Sequence, residues 1–383
     1  MSNSLTITVE KLVSKGNGLA RVEGKVILVP FVLPGESVKV KITSHKNGYD
    51  LAEVKEILNP SPFRQVPACP HFTKCGGCDW LHIQYPEQLK QKVAIFQETM
   101  QRIGGIHLNN TQIESGPHLE YRNRTQIQVD SSGNKGFMRK GTIKIEPLTH
   151  CPVLLPSLNA LFTSSKLNVD IKKSSKIVKI PAFAYDNRIS YMLPNTNRSL
   201  PENLCVTLMD KEIHFNLKCF FQSNLSLLPE FIRFITEDLK GETVMDLYCG
   251  IGLFGAFLSD RFTKVIAVEE NSFALKFAKQ NIKGSNHLFL NRRLEEINLE
   301  LLPEEIDFVV VNPPRNGLSR IAREFLTHIR PAHLTYVSCN PDTQARDLKY
   351  LLQHNFKISR HKLFDFYPQT SYVESVVKLH YET

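Results

Sequence analysis

The sequence predicts a multidomain protein with an N-terminal OB-like β-barrel, a central mixed α+β domain around a set of cysteines, and a C-terminal doubly wound α/β domain. Three observations predict this. Over residues 1–57, Val, Ile and Leu alternate with polar residues at period two and are broken by glycine-containing turns, the pattern of short antiparallel strands. Three cysteines fall within the segment CPHFTKCGGC. From about Leu227 strand-like and helix-like runs alternate, which argues for a parallel sheet. The expected domains are residues 1–57, 66–226 and 227–383.

Element by element, the barrel strands are LTITVEKLV, LARVEGKVILVPFV, SVKVKITSHKNGYD and LAEVKEIL, separated by the turns SKGNG and LPGE. A barrel of this size is commonly a nucleic-acid reader. The proline-rich NPSPFRQVPA reads as the linker that ends it. Past the cysteines, PEQLKQKVAIFQETMQRIG has helical apolar spacing, and residues 119–218 are mixed and strand-rich. The last part runs helix LLPEFIRFITEDL, strand TVMDLY, turn CGIGLFG, strand KVIAVE, helix SFALKFAKQNI, then strands DFVVV and LTYVS. FKISRHKLFDF and SYVESVVKLHY are expected to close the sheet as an antiparallel hairpin.

The composition is that of an ordinary globular chain: 383 residues, 42% hydrophobic and 22% charged, which excludes a collagen-like or disordered protein. Its longest apolar run, Val26 to Pro34, is too short to span a bilayer. MSNSLTITVE lacks the basic-then-apolar pattern of a leader, so a cytoplasmic location and no membrane partner are expected. The net charge of +9 is uneven, with residues 241–383 carrying 17 basic and 17 acidic side chains. The surplus therefore lies in the first 240 residues. Twelve basic residues between Arg122 and Arg188 face four acidic ones, a stretch that attracts a polyanion such as RNA.

Eight cysteines without a secretion signal argue for metal or catalytic use of some of them. Cys205, Cys219 and Cys249 are isolated in apolar surroundings and are expected to be buried and inert. Cys69, Cys75 and Cys78 have C-x5-C-x2-C spacing, and Cys151 follows in THCPVL. Four thiolates complete either a zinc site or an iron–sulfur cluster. Spacing leaves both open, with His71 and His150 as further zinc ligands.

VMDLYCGIGLFG places a glycine turn where a strand enters a helix, with Gly250 and Gly252 allowing a ligand close to the backbone. Glu269 ends the next strand, where a carboxylate accepts the hydroxyls of a ribose. A dinucleotide is the plain alternative, and the expected cofactor is the phosphate-free S-adenosylmethionine. VVVNPPRNGL and VSCNP follow later strands and bring Asn312 and Cys339 to the same sheet edge. Cys339 is a candidate nucleophile, and Glu374 in SYVESVVKL is the carboxylate expected to pair with it.

Taken together, the barrel, the cysteine set, YRNRTQIQV, FFQSN, DLYCGIGLFG, NPPRNGL, VSCNP and YPQTSYVESVVKL resemble the TRAM-domain, iron–sulfur RNA (uracil-5-)-methyltransferases of the bacterial 23S ribosomal RNA type. The resemblance covers essentially the whole chain. It implies a TRAM barrel, a Rossmann-like methyltransferase domain and a [4Fe-4S] cluster on Cys69, Cys75, Cys78 and Cys151, which moves iron–sulfur ahead of zinc. It implies Cys339 as nucleophile, Glu374 as proton-abstracting base, and Gln222, Tyr248, Glu269 and Asn312 as S-adenosylmethionine contacts. Asn312 stands where the family commonly has Asp, and Gln369 and Tyr372 stand where it often has His. The expected partner is RNA, most of all 23S rRNA, bound by a monomer. Transfer RNA is the alternative substrate, and amino-group methylation through the NPPR loop the alternative chemistry. A non-catalytic RNA-binding protein is a third.

Overall fold

A computed structural model describes residues 4–167, 177–186, 188–193, 203–237 and 239–382. Lys172, Lys173 and Lys176 of the basic stretch lie outside them. The first sheet comprises β1 (Ser4–Thr8), β2 (Lys11–Leu12), β3 (Gly18–Val22), β4 (Lys25–Val29), β5 (Ser37–Lys46) and β6 (Tyr49–Asn59), in the order β1-β5-β6-β4-β3-β2. In β5 the period-two pattern buries Val38 and Val40 and exposes Lys39 and Lys41. One pairing departs from an all-antiparallel barrel. β4 and β6 run parallel, because the chain crosses over after β4 and β6 returns beside it.

The linker is fastened to the barrel. The fully buried Glu36 accepts from Arg64 Nε at 2.6 Å and Nη2 at 2.7 Å, and from the backbone N–H of Leu33 and Ser61. Leu12 and Leu33 pack with Trp80 and Ile83 in one apolar cluster.

Next come α1 (Tyr85–Thr99), β7 (Ile113–Glu114), β8 (Arg124–Asp130), β9 (Lys135–Met138), β10 (Ile145–Pro147), α2 (Pro156–Thr163), β11 (Ile177–Tyr185), β12 (Arg188–Tyr191), β13 (Leu204–Leu208) and β14 (Lys211–Phe215). Strands β10-β9-β8-β11-β12 form an antiparallel sheet, and β13 and β14 a separate hairpin. Residues 85–114 pack elsewhere. Phe96, Met100 and Ile106 share a core with Met245, Leu247 and Val309, and β7 pairs in parallel with the strand at Leu363–Phe364. Two residues of strand carry no periodicity, so β7 is invisible in the sequence.

The C-terminal part contains α3 (Leu228–Thr236), β15 (Gly241–Leu247), α4 (Leu253–Leu258), β16 (Phe262–Val268), α5 (Ser272–Asn281), β17 (Leu288–Leu290), β18 (Phe308–Val311), α6 (Arg320–Ile329), β19 (His333–Ser338), α7 (Pro341–Leu352), β20 (Phe356–Phe364) and β21 (Glu374–Tyr381). Its sheet order is β17-β16-β15-β18-β19-β21-β20-β7. Strands β15 to β19 are parallel, and the central β18 is buried on both faces, which explains its continuous run FVVV. β20 and β21 form the expected antiparallel hairpin. The order reverses between β15 and β18, which opens a crevice beyond their carboxyl ends.

Cys219 and Cys249 are buried as expected, but Cys205 is exposed. Val206 and Leu208 point into the core from β13, so the alternation turns Cys205 outward. Among the described residues no helix is long and apolar enough to cross a membrane.

Candidate active site

A cavity of about 410 Å³ occupies the crevice. Gln222, Tyr248, Glu269, Asn312, Cys339 and Glu374 all line it, so the structure gathers every expected cofactor and catalytic position into one space. The turn after β15 is built by local conformation. Tyr248, Gly250 and Gly252 have φ of 58°, 56° and 77°, and a Cβ on Gly252 would meet Ala278 at 2.9 Å.

Gly250, Gly252 and Gly255 keep G-x-G-x-x-G spacing, so glycine spacing does not separate S-adenosylmethionine from a dinucleotide. Asp246 Oδ2 accepts from the Gly255 N–H at 2.9 Å and Glu269 Oε2 from the Gly250 N–H at 2.9 Å. The chain's own carboxylates thereby tie down two amides of the turn. Burial pushes the Asp246 carboxyl up to about 7, opposed by the Gly255 bond. Glu269 Oε1 accepts from the Asn271 N–H at 2.8 Å. Each oxygen thus keeps a lone pair for a ribose hydroxyl.

Cys339 follows β19 directly and Glu374 begins β21, so the antiparallel pairing of these strands brings thiol and carboxyl to one end of the sheet. Burial pushes the Cys339 thiol up, the nearby Glu374 adds to this, and Arg315 opposes both through charge and a hydrogen bond. Glu374 is 3% exposed, its Oε2 has no hydrogen-bond partner, and burial pushes its carboxyl up to about 8 against the pull of Arg315. Arg315 is held from two sides. Its guanidinium lies 4.9 Å from the centre of the Tyr372 ring, and its carbonyl accepts from Asn340 Nδ2 at 2.9 Å and Thr343 Oγ1 at 3.2 Å. The NPPRNGL loop is pinned further by Asp347, which accepts from the Leu318 N–H at 2.8 Å and the Tyr336 hydroxyl at 2.7 Å.

Arg315 and Tyr367 also line the cavity and are absent from the expected set. Arg315 sits three residues after Asn312, a signal within the motif. Tyr367 carries no such signal, because its place depends on the fold of the turn before β21. Phe220, 71% exposed, lies at the same cavity two residues before Gln222.

Cys69, Cys75, Cys78 and Cys151 line a second cavity of about 940 Å³, together with His71, His150 and Arg122. Glycine serves close approach here, since a Cβ on Gly76 would lie 3.1 Å from the Met138 carbonyl oxygen. Burial pushes the Cys75 thiol up to about 11 and raises Cys78 and Cys151 as well, with neighbouring sulfurs adding to each shift. Such thiols become ligands only when a bound cation compensates the thiolate charge. His71 Nδ1 lies 2.9 Å from Glu146 Oε1, which ties that histidine to a buried carboxyl. Among the described residues, three ligand atoms within 4.8 Å of one another occur at Cys205, Glu212 and His214.

Residues 3–55 match the TRAM domain family, residues 229–334 the methyltransferase small domain, and residues 287–382 the tRNA (Uracil-5-)-methyltransferase family. An uncharacterized RNA methyltransferase of Treponema denticola is 30% identical over 92% of this chain and 93% of its own length. A 23S rRNA (uracil(1939)-C(5))-methyltransferase of Pectobacterium atrosepticum is 27% identical over 100% of this chain and 95% of its own. Among solved structures, the tRNA (uracil-54, C5)-methyltransferase of Pyrococcus abyssi in complex with S-adenosyl-L-homocysteine is similar with a TM-score of 0.76 and 25% identity. That match covers 98% of this chain and 100% of the other.

Proposed function

The chain belongs to the RNA (uracil-5-)-methyltransferase family, and on that premise we propose that it methylates carbon 5 of a uridine in 23S rRNA through a covalent adduct with Cys339. It is an S-adenosylmethionine-dependent enzyme with an N-terminal TRAM domain and a Rossmann-like methyltransferase fold at the C-terminus. The observation that carries the proposal is the shared cavity of Cys339, Glu374 and the Gln222, Tyr248, Glu269 and Asn312 set.

In the proposed mechanism the Cys339 thiolate adds to carbon 6 of uracil, which turns carbon 5 into an enolate nucleophile. S-adenosylmethionine, when bound, supplies an electrophilic methyl group for carbon 5. The Glu374 carboxylate then removes the proton from carbon 5, the carbon 5–carbon 6 double bond re-forms, and the thiolate leaves. Arg315 stabilises the thiolate by charge and hydrogen bond. Glu269 would hold the ribose of the cofactor, and Gln222, Tyr248 and Asn312 would hold the rest of it. As an amide, Asn312 offers both a donor and an acceptor where a carboxylate would only accept. A base inside a stem must be flipped out to reach this depth.

RNA containing 5-fluorouridine has no carbon 5 proton to lose and should trap the wild-type enzyme through Cys339. Cys339→Ala should form no adduct and no 5-methyluridine; methylation retained by Cys339→Ala overturns the mechanism.

Cys69, Cys75, Cys78 and Cys151 are proposed to hold a [4Fe-4S] cluster as a structural group. Four thiolates complete either a zinc site or a cluster, and the likeness of the cysteine spacing to the iron–sulfur methyltransferases is what favours the multi-iron core. Anaerobically purified protein should be brown and carry about four irons; a colourless protein with a single zinc defeats the assignment.

The proposed division of labour is that residues 1–57 and 66–226 grip RNA and residues 227–383 carry out the chemistry, in a monomer. Transfer RNA is the alternative substrate: the similarity to the Pyrococcus enzyme includes the barrel, so a barrel does not separate the two substrates. Mapping 5-methyluridine in 23S and transfer RNA from wild-type and deletion cells decides between them.

A further inference from the structure

The two cavities are joined by short hydrogen-bonded struts, and the main one runs through Gln369. The backbone N–H groups of Asp79 and Trp80, directly after Cys78, both donate to the Gln369 carbonyl at 3.0 Å. The Gln369 N–H donates to Gln88 Oε1 at 3.0 Å, Gln88 Nε2 donates to Gln369 Oε1 at 2.8 Å, and Gln369 Nε2 donates to the His118 carbonyl at 3.2 Å. Every polar group of this residue is therefore used. It is 1% exposed and has φ of +67°, a conformation that a non-glycine residue keeps only when its surroundings hold it there.

A second strut starts from Cys151. The Arg122 N–H bonds the Val153 carbonyl, and the preceding Tyr121 hydroxyl donates to the Pro368 carbonyl at 3.1 Å. The following Asn123 N–H donates to the Ser223 carbonyl at 2.8 Å, next to Gln222. Both halves of the cysteine set thus abut segments that line the active-site cavity. Five residues after Gln369, β21 opens with Glu374.

We propose that Gln369 is a positioning residue that ties the loop carrying Cys78 to the turn leading into Glu374, so that filling the cysteine cavity sets the placement of the base with no contact between them. The inference rests on the reading of Cys339 and Glu374 given above. The turn has two conditions, held by the struts or released, and the cysteine loop biases between them. Released, it leaves Cys339 free to add to the base but misplaces the carboxylate that must take the carbon 5 proton.

The test uses the full-length protein as purified and the variant Gln369→Leu, which keeps the bulk and removes the side-chain bonds to Gln88 and His118 that hold the Gln369 carbonyl against the Asp79 and Trp80 N–H groups. With ordinary uridine RNA the methylated Cys339 adduct should persist, its release slowed by about tenfold. S-adenosylhomocysteine affinity and trapping on 5-fluorouridine RNA should stay near wild type. Amides of residues 366–374 should exchange hydrogen about tenfold faster while those of β15 and β18 stay protected. Cys78→Ala and chelator-treated wild-type protein should speed exchange of the same amides. Where Gln369→Leu fails to fold, Gln88→Met breaks both Gln88–Gln369 bonds from the helix side, leaves the His118 bond, and should give the same pattern. Unchanged exchange at residues 366–374 in the variants and the chelated protein, or wild-type release of the adduct, overturns the coupling. Wild-type release by Glu374→Gln would instead overturn the assignment of the base.

Discussion

At the residue scale the chemistry is set by what burial does to two groups. Glu374 must be ionised to act as a base, and burial pushes its carboxyl up to about 8, so kcat/KM should climb with pH up to about that value and fall on the acid side. The same shift has a sign for stability. The folded state holds this proton up to about pH 8 whereas the unfolded chain releases it near 4.5, so stability is lost as pH rises between those values. Glu374→Gln should therefore melt higher than wild type, by a margin that is absent near pH 4.5, grows towards pH 8 and is constant above it. Thermal melts across that range check it. Arg315 acts on Cys339 in the opposite direction to burial. Arg315→Met should slow adduct formation on 5-fluorouridine RNA by about tenfold or more, and Arg315→Lys by less, because the ammonium keeps the charge but loses the planar stack on Tyr372. Cys339 and Asn312 were legible in the sequence because their motifs follow strands, and Glu374 because it opens the last strand-like run. Tyr367 was not, because a long-range turn delivers it.

At the element scale, helix α1 and the turn before β21 are welded by a buried ion pair. Lys92 Nζ lies 2.5 Å from Asp365 Oδ1 with both side chains fully buried, donates to the Tyr367 carbonyl at 3.0 Å, and is pulled down by burial. Lys92→Met leaves the Asp365 carboxylate buried without its cation and should cost about 3–5 kcal/mol in a denaturant titration. Combining it with Asp365→Leu should recover part of that loss. The pair was unreadable beforehand, since its members are separated by 273 residues and lie in segments whose packing no local period reports. The glycine turn is the opposite case. Gly252 was legible from its place at a strand end, and its left-handed backbone against Ala278 means that Gly252→Ala should cost about 1–3 kcal/mol and weaken S-adenosylhomocysteine binding in calorimetry.

At the scale of the whole molecule, the barrel is packed into the rest through Trp80, Ile83 and the Glu36–Arg64 pair, so deleting it would strip a core as well as an RNA surface. Charge substitution is the cleaner probe. Lys39→Gln and Lys41→Gln on the exposed face of β5 should each lower the salt slope of RNA affinity by about 0.7 if the barrel grips phosphate, measured by titration at several salt concentrations. An unchanged slope would assign the grip to the basic stretch after Arg122. Local pattern alone determined the N-terminal barrel, the alternating βα units, the glycine turn, the cysteine spacing and the motifs at the strand ends, because periodicity and turn chemistry are properties of neighbours in the chain. Tertiary structure alone decided that residues 85–114 pack on the C-terminal sheet, that Asp246 and Glu269 tie down the Gly255 and Gly250 amides, and that Gln369 bridges the cysteine loop to the turn before Glu374. These are contacts between residues far apart in sequence, made only when the sheet order and the burial of particular polar groups bring them together.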